Sequence, residues 1–185
     1  MLSELFRKSS LFYLLLKIDQ DLAEKARAAG CPYCGGPLHY ANYPRKPRGG
    51  PDGLPDECLV RFSLCCGRGG CRCRTIAPSC RFNGRRVYWH AVMLAVMTLR
   101  QGRSAGKIAK KFQDLFGMTR NTVARWIVWY REVFPCSATW RRIRGLVNPE
   151  IGNSNLPADF VNHTIAHCPS PEEGLITCLR LLCLS

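Results

Sequence analysis

Two stretches decide how this chain folds: Cys31-Pro32-Tyr33-Cys34-Gly35-Gly36 and, further on, Cys65-Cys66-Gly67-Arg68-Gly69-Gly70-Cys71-Arg72-Cys73. Two thiolates separated by two residues grip one metal ion from a tight turn. The glycines after Cys34 let the backbone curl so that its N–H groups face the sulfurs. Such a turn is half of a tetrahedral four-cysteine zinc site. The other half must come from Cys58, Cys65, Cys66, Cys71, Cys73 or Cys80. Cys66 and Cys71 fit best, because they bracket a glycine-rich turn that folds back on itself. Val60, Phe62 and Leu64 alternate before that turn, Arg72 to Ile76 read as a strand after it, and Leu38 and Tyr40 follow the first turn. Strand, knuckle, strand is the order of a zinc ribbon. Adjacent Cys65 and Cys66 point to opposite faces of a strand, so only one of them reaches the metal. Cys65 and Cys73 stay open as rival ligands. The expected site is therefore one structural Zn2+ on Cys31, Cys34, Cys66 and Cys71. Four thiolates leave no coordination position for water.

Around these stretches the composition narrows the class. The chain has 185 residues, twelve of them Cys, with 27 Lys and Arg against 13 Asp and Glu, a net charge of +14. With 46% hydrophobic residues it is no disordered tail. No apolar run approaches the ~20 residues of a membrane helix; Leu11 to Leu16 stops at Lys17. Asp19, Asp21 and Glu24 break the pattern of a signal peptide. The expectation is a cytoplasmic, nucleoid-associated protein of a prokaryotic cell, with no membrane partner. Its cysteines then serve as metal ligands or buried thiols rather than disulfides. Cys58, Cys80, Cys136, Cys178 and Cys183 read as small hydrophobes.

Charge is concentrated. Residues 81–145 hold fourteen of the basic residues and two of the acidic ones, whereas residues 146–185 are net acidic. A basic block that is also rich in Trp, Tyr and Val is a folded surface, and its default partner is a nucleic acid. Four segments follow. Residues 1–30 hold an N-terminal helix over 10–29, capped by Ser10, with Leu11, Leu14, Leu15, Ile18, Leu22 and Ala26 on one face and Gly30 at its end. Residues 31–80 are the zinc ribbon, interrupted by a Pro/Gly-rich loop over 43–55. Residues 81–135 are a helical DNA-binding domain. Residues 136–185 are a C-terminal helical segment, with Ser170-Pro171-Glu172-Glu173 opening its last helix. The expected class is α+β, mainly α: a small zinc ribbon, then a helix-turn-helix bundle, with flanking helices for contacts to a second copy or a transposase partner.

In the basic domain, Tyr88 to Leu99 reads as a helix burying Val92, Met93, Ala95, Val96 and Leu99 on one face, closed by residues 101–103. Ser104 caps a second helix, Ala105 to Phe116, with Lys107, Lys110 and Lys111 outward. Gly117 turns the chain, and Thr119 caps a third helix reaching about Phe134. There Val123, Trp126, Ile127 and Tyr130 make the core stripe, while Arg120, Asn121, Ala124 and Arg125 lie opposite. A helix-turn-helix has this arrangement: the last helix enters the major groove by its N-terminal residues, and the helix before it touches the backbone. Arg reads guanine and Asn reads adenine in a bidentate way, while Arg103, Lys107, Lys110 and Lys111 meet phosphates. The expected reading face is thus Thr119, Arg120, Asn121 and Arg125. Arg45 and Arg48, set among Pro and Gly, could add a minor-groove arm.

The order Cys-Pro-Tyr-Cys-Gly, strand, second Cys pair and Arg72-Cys73-Arg74-Thr75, followed by Ile108-Ala109-Lys110-Lys111-Phe112 and Gly117-Met118-Thr119-Arg120-Asn121-Thr122, resembles the front end of insertion-sequence transposases. In that family a zinc ribbon precedes a helical DNA-binding segment. The resemblance covers about residues 31–134. The family's second knuckle is usually Cys-x2-Cys, where this chain has four residues between. Its catalytic carboxylates, on an RNase H-like fold, have no counterpart: only Glu150, Asp159, Glu172 and Glu173 follow Phe134. The resemblance therefore implies binding of double-stranded DNA on a mobile element, and no enzyme activity. Two rivals remain. One is a structural subunit gripping RNA or a hybrid through exposed Tyr88, Trp129 and Trp140. The other is a nuclease using His39 or His90, neither of which has a paired carboxylate nearby in the sequence.

Overall fold

The first helix, α1, spans Ser9–Ala28. Its stripe of Leu11, Phe12, Leu15, Leu16, Ile18 and Ala23 is buried, while Tyr13 and Leu14 face solvent. The helix opens at Lys8 without a side-chain cap, not at Ser10. It closes through Gly30, whose φ of +78° suits a residue without Cβ and whose N–H reaches the Arg27 carbonyl. The computed structural model describes residues 5–6, 8–100 and 105–183.

After α1 come β1 (Leu38–Tyr40), β2 (Tyr43–Pro44), a single turn of helix α2 (Asp56–Leu59), β3 (Val60–Arg61), β4 (Ser63–Cys66) and β5 (Arg74–Ile76). β4 is the centre of a three-stranded antiparallel sheet in the order β1-β4-β5, with Leu38 opposite Cys66 and Cys65 opposite Arg74. β2 and β3 form a second, two-stranded ribbon, so the Pro/Gly-rich stretch begins as a strand rather than a loop. The rest of that stretch lies on the helical core. Arg48 exchanges backbone hydrogen bonds with Val87 and Trp89. A Cβ on Gly50 would fall 2.4 Å from the Trp89 indole nitrogen.

Helices make the larger part: α3 (His90–Leu99), α4 (Ala105–Phe116), α5 (Arg120–Val128), α6 (Ala138–Val147), α7 (Ala158–Ala166) and α8 (Pro171–Leu182). The chain is thus α+β and mainly helical. α3 is buried on every side from His90 to Thr98 rather than on one face, as its nearly unbroken apolar composition requires. α5, α7 and α8 pack against it. α5 does not continue as an α-helix to Phe134. A π turn (Trp129–Val133) and a 3-10 turn (Phe134–Cys136) replace its end. Pro135 has no N–H to donate to a helical ladder. The wider turn also brings Phe134 beside Trp129 and Tyr130, at centroid distances of 5.2 and 5.3 Å. α8 starts as its sequence implies, with the Glu173 N–H donating to Ser170 Oγ.

One hydrophobic core runs from Leu5 and Phe6 through α1, α3 and α5 to Cys183. A second, much smaller cluster holds Cys31, Leu38, Leu64 and Cys66. Cys58, Cys80, Cys178 and Cys183 are buried as small hydrophobes, but Cys136 is exposed. Among the described residues no helix is long and apolar enough to cross a membrane.

Candidate metal centre and basic face

Cys31, Cys34, Cys66 and Cys71 converge so that their four sulfurs lie within 4.8 Å of one another. Cys31 and Cys71 are 3.8 Å apart, and Cys34 and Cys66 are 3.5 Å apart. A tetrahedron with metal–sulfur bonds of about 2.3 Å has edges of about 3.8 Å. These two contacts are close to such edges, and the four sulfurs together could hold one ion.

Local backbone geometry builds each half. The Gly35 N–H donates to the Cys31 carbonyl, and the Cys31 N–H to the Gly36 carbonyl, which closes the first turn. A Cβ on Gly36 would sit 3.2 and 3.3 Å from the sulfurs of Cys66 and Cys34, so a side chain there would crowd the ligands. In the second turn the Cys71 and Arg72 N–H groups donate to the Arg68 carbonyl, and the Arg68 guanidinium donates to the Cys34 carbonyl. Amide N–H groups of Tyr33, Arg68 and Cys73 face the sulfurs of Cys31, Cys66 and Cys71. The Tyr33 amide, with help from Cys34, brings the Cys31 thiol down to about 7. At Cys66 the Arg68 amide acts the same way, but burial and the neighbouring thiols win and push it up. Cys71 is pushed up too, its neighbouring thiols and burial outweighing the Cys73 amide. Four thiols in contact cannot all ionise alone; a divalent cation between them reverses that penalty. Soft sulfur donors in this number and spacing could hold such an ion.

The rivals lie outside the cluster. The Cys65 thiol points to the carbonyls of Cys66 and Arg72, at 3.8 and 3.7 Å. The Cys73 thiol meets that of Cys71 but is not one of the four sulfurs that lie within 4.8 Å of one another. Elsewhere, His163 and His167 of neighbouring turns lie with ring centroids 4.3 Å apart, and no third ligand joins them among the described residues.

The basic face is built on α4 and α5. Residues 117–119 join them, and Gly117, at φ +59°, makes the reversal. Met118 is fully buried beneath the turn. Thr119 caps α5, its Oγ accepting from the Thr122 N–H at 3.3 Å. Val123, Trp126 and Tyr130 point into the core and Ile127 is half-buried, while Arg120, Asn121 and Arg125 are exposed. Lys107, Lys110 and Lys111 are exposed on α4. Arg120 reaches back over α4: its Nε lies 3.8 Å from where a Gly106 Cβ would be. The N-terminal turns of the two helices thus share one surface. Arg103 and the Ser104 cap lie outside the described residues.

Other expectations change. Arg45 is no groove-seeking arm, because its guanidinium donates to the carbonyls of Gly84 and Arg86. Tyr88 and Trp140 are buried, and Arg86 covers the Trp129 ring at 4.4 Å. His90 is buried in the helical core, where desolvation takes its imidazole down to about 3.

Sequence reading missed one ion pair. Asp19 on α1 is fully buried and accepts from Ser79 Oγ, from the Cys80 N–H at 2.6 Å and from Arg81 Nε at 2.8 Å. Arg81 spends its other donors on the carbonyls of Glu57, Cys58 and Val60. Nothing local in the sequence marks a partnership across sixty-two positions. Compared with known proteins, the chain matches no protein-family model, and no curated protein and no solved structure matches it.

Proposed function

We propose that this chain is a zinc-dependent, site-specific binder of double-stranded DNA, serving a mobile element as an accessory factor or regulator. The observation that carries the reading is the α4–turn–α5 pair. Its second helix is capped by Thr119, buries one face and exposes Arg120, Asn121 and Arg125 on the other. A helix-turn-helix offers these residue types to base edges, and the exposed lysines of α4 suit the phosphates beside them. The concentration of positive charge in residues 81–145 supports the same partner. The four-cysteine cluster on the β1-β4-β5 sheet supports a zinc-ribbon reading with one structural ion. The mobile-element role rests on the order of these two parts.

Anisotropy measurements on the zinc-loaded protein test the reading. The probes are duplex from the flanks of its gene, the same duplex scrambled, and single-stranded RNA. Native duplex should bind ~10³-fold or more tightly than scrambled. Arg120→Ala and Asn121→Ala should lose that preference more than overall affinity, whereas Lys110→Ala should weaken all duplexes alike. Equal losses for all three variants would sink the recognition-helix assignment. A preference for the RNA would favour an RNA-binding subunit. The covered aromatics speak against that reading, since such readers stack bases on open rings.

A further inference from the structure

Beside α5 lies a cleft of about 410 Å3 that the reading helix alone does not explain. One wall is the segment Arg85-Arg86-Val87-Tyr88, and the other is the face of α5 bearing Thr122 and Arg125, continued by Trp129 of the π turn. Among the described residues three arginines line it and no carboxylate does. Arg85 and Arg125 are exposed, and neither has an ion-pair partner among the described residues. Arg86 is held in place, stacked on Trp129 and donating to the Asn83 side chain at 2.9 Å. From behind, Arg45 grips the carbonyls of Gly84 and Arg86, which fixes the turn that presents Arg85 outward.

Shape and chemistry select the occupant. An unpaired base would need an open ring to stack on, and Arg86 already covers Trp129 while Tyr88 and Trp126 are buried. A protein carboxylate would be served by one arginine. Several guanidinium groups lining one cleft, that of Arg86 held in place, suit a phosphate oxygen cluster. At about 30 Å3 per water, the space exceeds that of ten waters and admits a phosphate with its sugar. We infer that this cleft seats a phosphodiester of the DNA backbone flanking the base pairs read by α5, with Arg85 and Arg86 as its contacts and Arg125 of the reading face at its border. The inference rests on the DNA-binding reading and extends its footprint to a segment outside the helix pair.

The test is the salt dependence of duplex binding by full-length zinc-loaded protein, comparing wild type, Arg85→Ala, Arg85→Lys and Lys110→Ala. Arg85 is exposed, so its truncation leaves the fold intact. Losing one phosphate contact should lower the slope of log K against log salt by about 0.9, and affinity at ~150 mM salt about fivefold, on native and scrambled duplex alike. Arg85→Lys should keep the slope. An unchanged slope in Arg85→Ala, with Lys110→Ala showing its own reduction, would overturn the cleft assignment and leave DNA binding standing. Absence of duplex binding by wild type would remove both. Inorganic phosphate at constant ionic strength separates the sources. If it changes Trp129 fluorescence (judged against Trp129→Phe) as strongly as duplex does, the cleft is a free-phosphate site and the backbone assignment fails.

Discussion

Asp19 shows how far one residue reaches. Burial pushes its carboxyl up, against the nearby charge of Arg81 and the donors of Ser79, Arg81 and Cys80. Through this group α1 is tied to the segment after β5, and through Arg81 onward to α2 and β3. Asp19→Ala would leave a buried guanidinium without its counter-ion. It should cost about 3–5 kcal/mol in urea unfolding. His90 is the second residue-scale case. Its folded pKa lies near 3 because burial and the positive charge of Arg86 oppose protonation. The unfolded chain takes up that proton near the ordinary value, so stability is full above it and falls as pH drops toward the folded value. Between about pH 6 and pH 4, wild type should lose about 2.5 kcal/mol more than His90→Gln. Parallel unfolding curves for the two proteins would exclude the effect. Neither residue's role was legible. Asp19 reads as one more acid on an amphipathic helix, and only the packed fold brings Arg81 to it.

At the scale of elements, close approach between helices sets the sharpest test. A Cβ on Gly174 would lie 2.7 Å from the Cα of Ile165, so α7 and α8 touch backbone to backbone there. Gly174→Ala must push the helices apart and should destabilise by about 1–3 kcal/mol. Gly145, exposed on α6, has nothing within 4 Å. Gly145→Ala should stabilise by about 0.5–1 kcal/mol through helix propensity. Thermal unfolding should show shifts of opposite sign for the pair. The helices themselves were largely legible, since α1, α3, α4, α5 and α8 carry apolar spacing, caps or a continuous apolar run. The π turn at the end of α5 was not, because it comes from fitting Trp129, Tyr130 and Phe134 into one core.

On the scale of the whole molecule, the two hydrophobic clusters differ in what sustains them. The large core buries aromatic and aliphatic side chains from both ends of the chain. The small one has four buried residues, two of them candidate ligands. So little apolar burial holds a sheet weakly, and on the zinc reading the ion supplies the staple. Chelation should therefore release about one zinc per chain. Amide protection should then be lost in β1, β4 and β5 while α3 stays protected. Protection lost equally in both regions would mean that the two clusters fold as one unit. Cys31→Ser should retain less metal and mimic the chelated state.

Sequence by itself determined which cysteines could share an ion and where the main helices run. Both depend on contacts within a few residues: thiol spacing across a turn, glycines beside it, apolar period and cap. It also favoured Cys66 over Cys65, because adjacent residues of a strand face opposite ways, and the Cys66 sulfur is the one that lies in the cluster. Tertiary structure alone decided the rest. It buried α3 on all sides, docked the Pro/Gly-rich stretch on Trp89, turned Arg45 into a brace, and set Arg85 and Arg86 beside α5. Each of these joins residues far apart in the chain, where the outcome is set by which surfaces meet once the core closes and not by any local pattern.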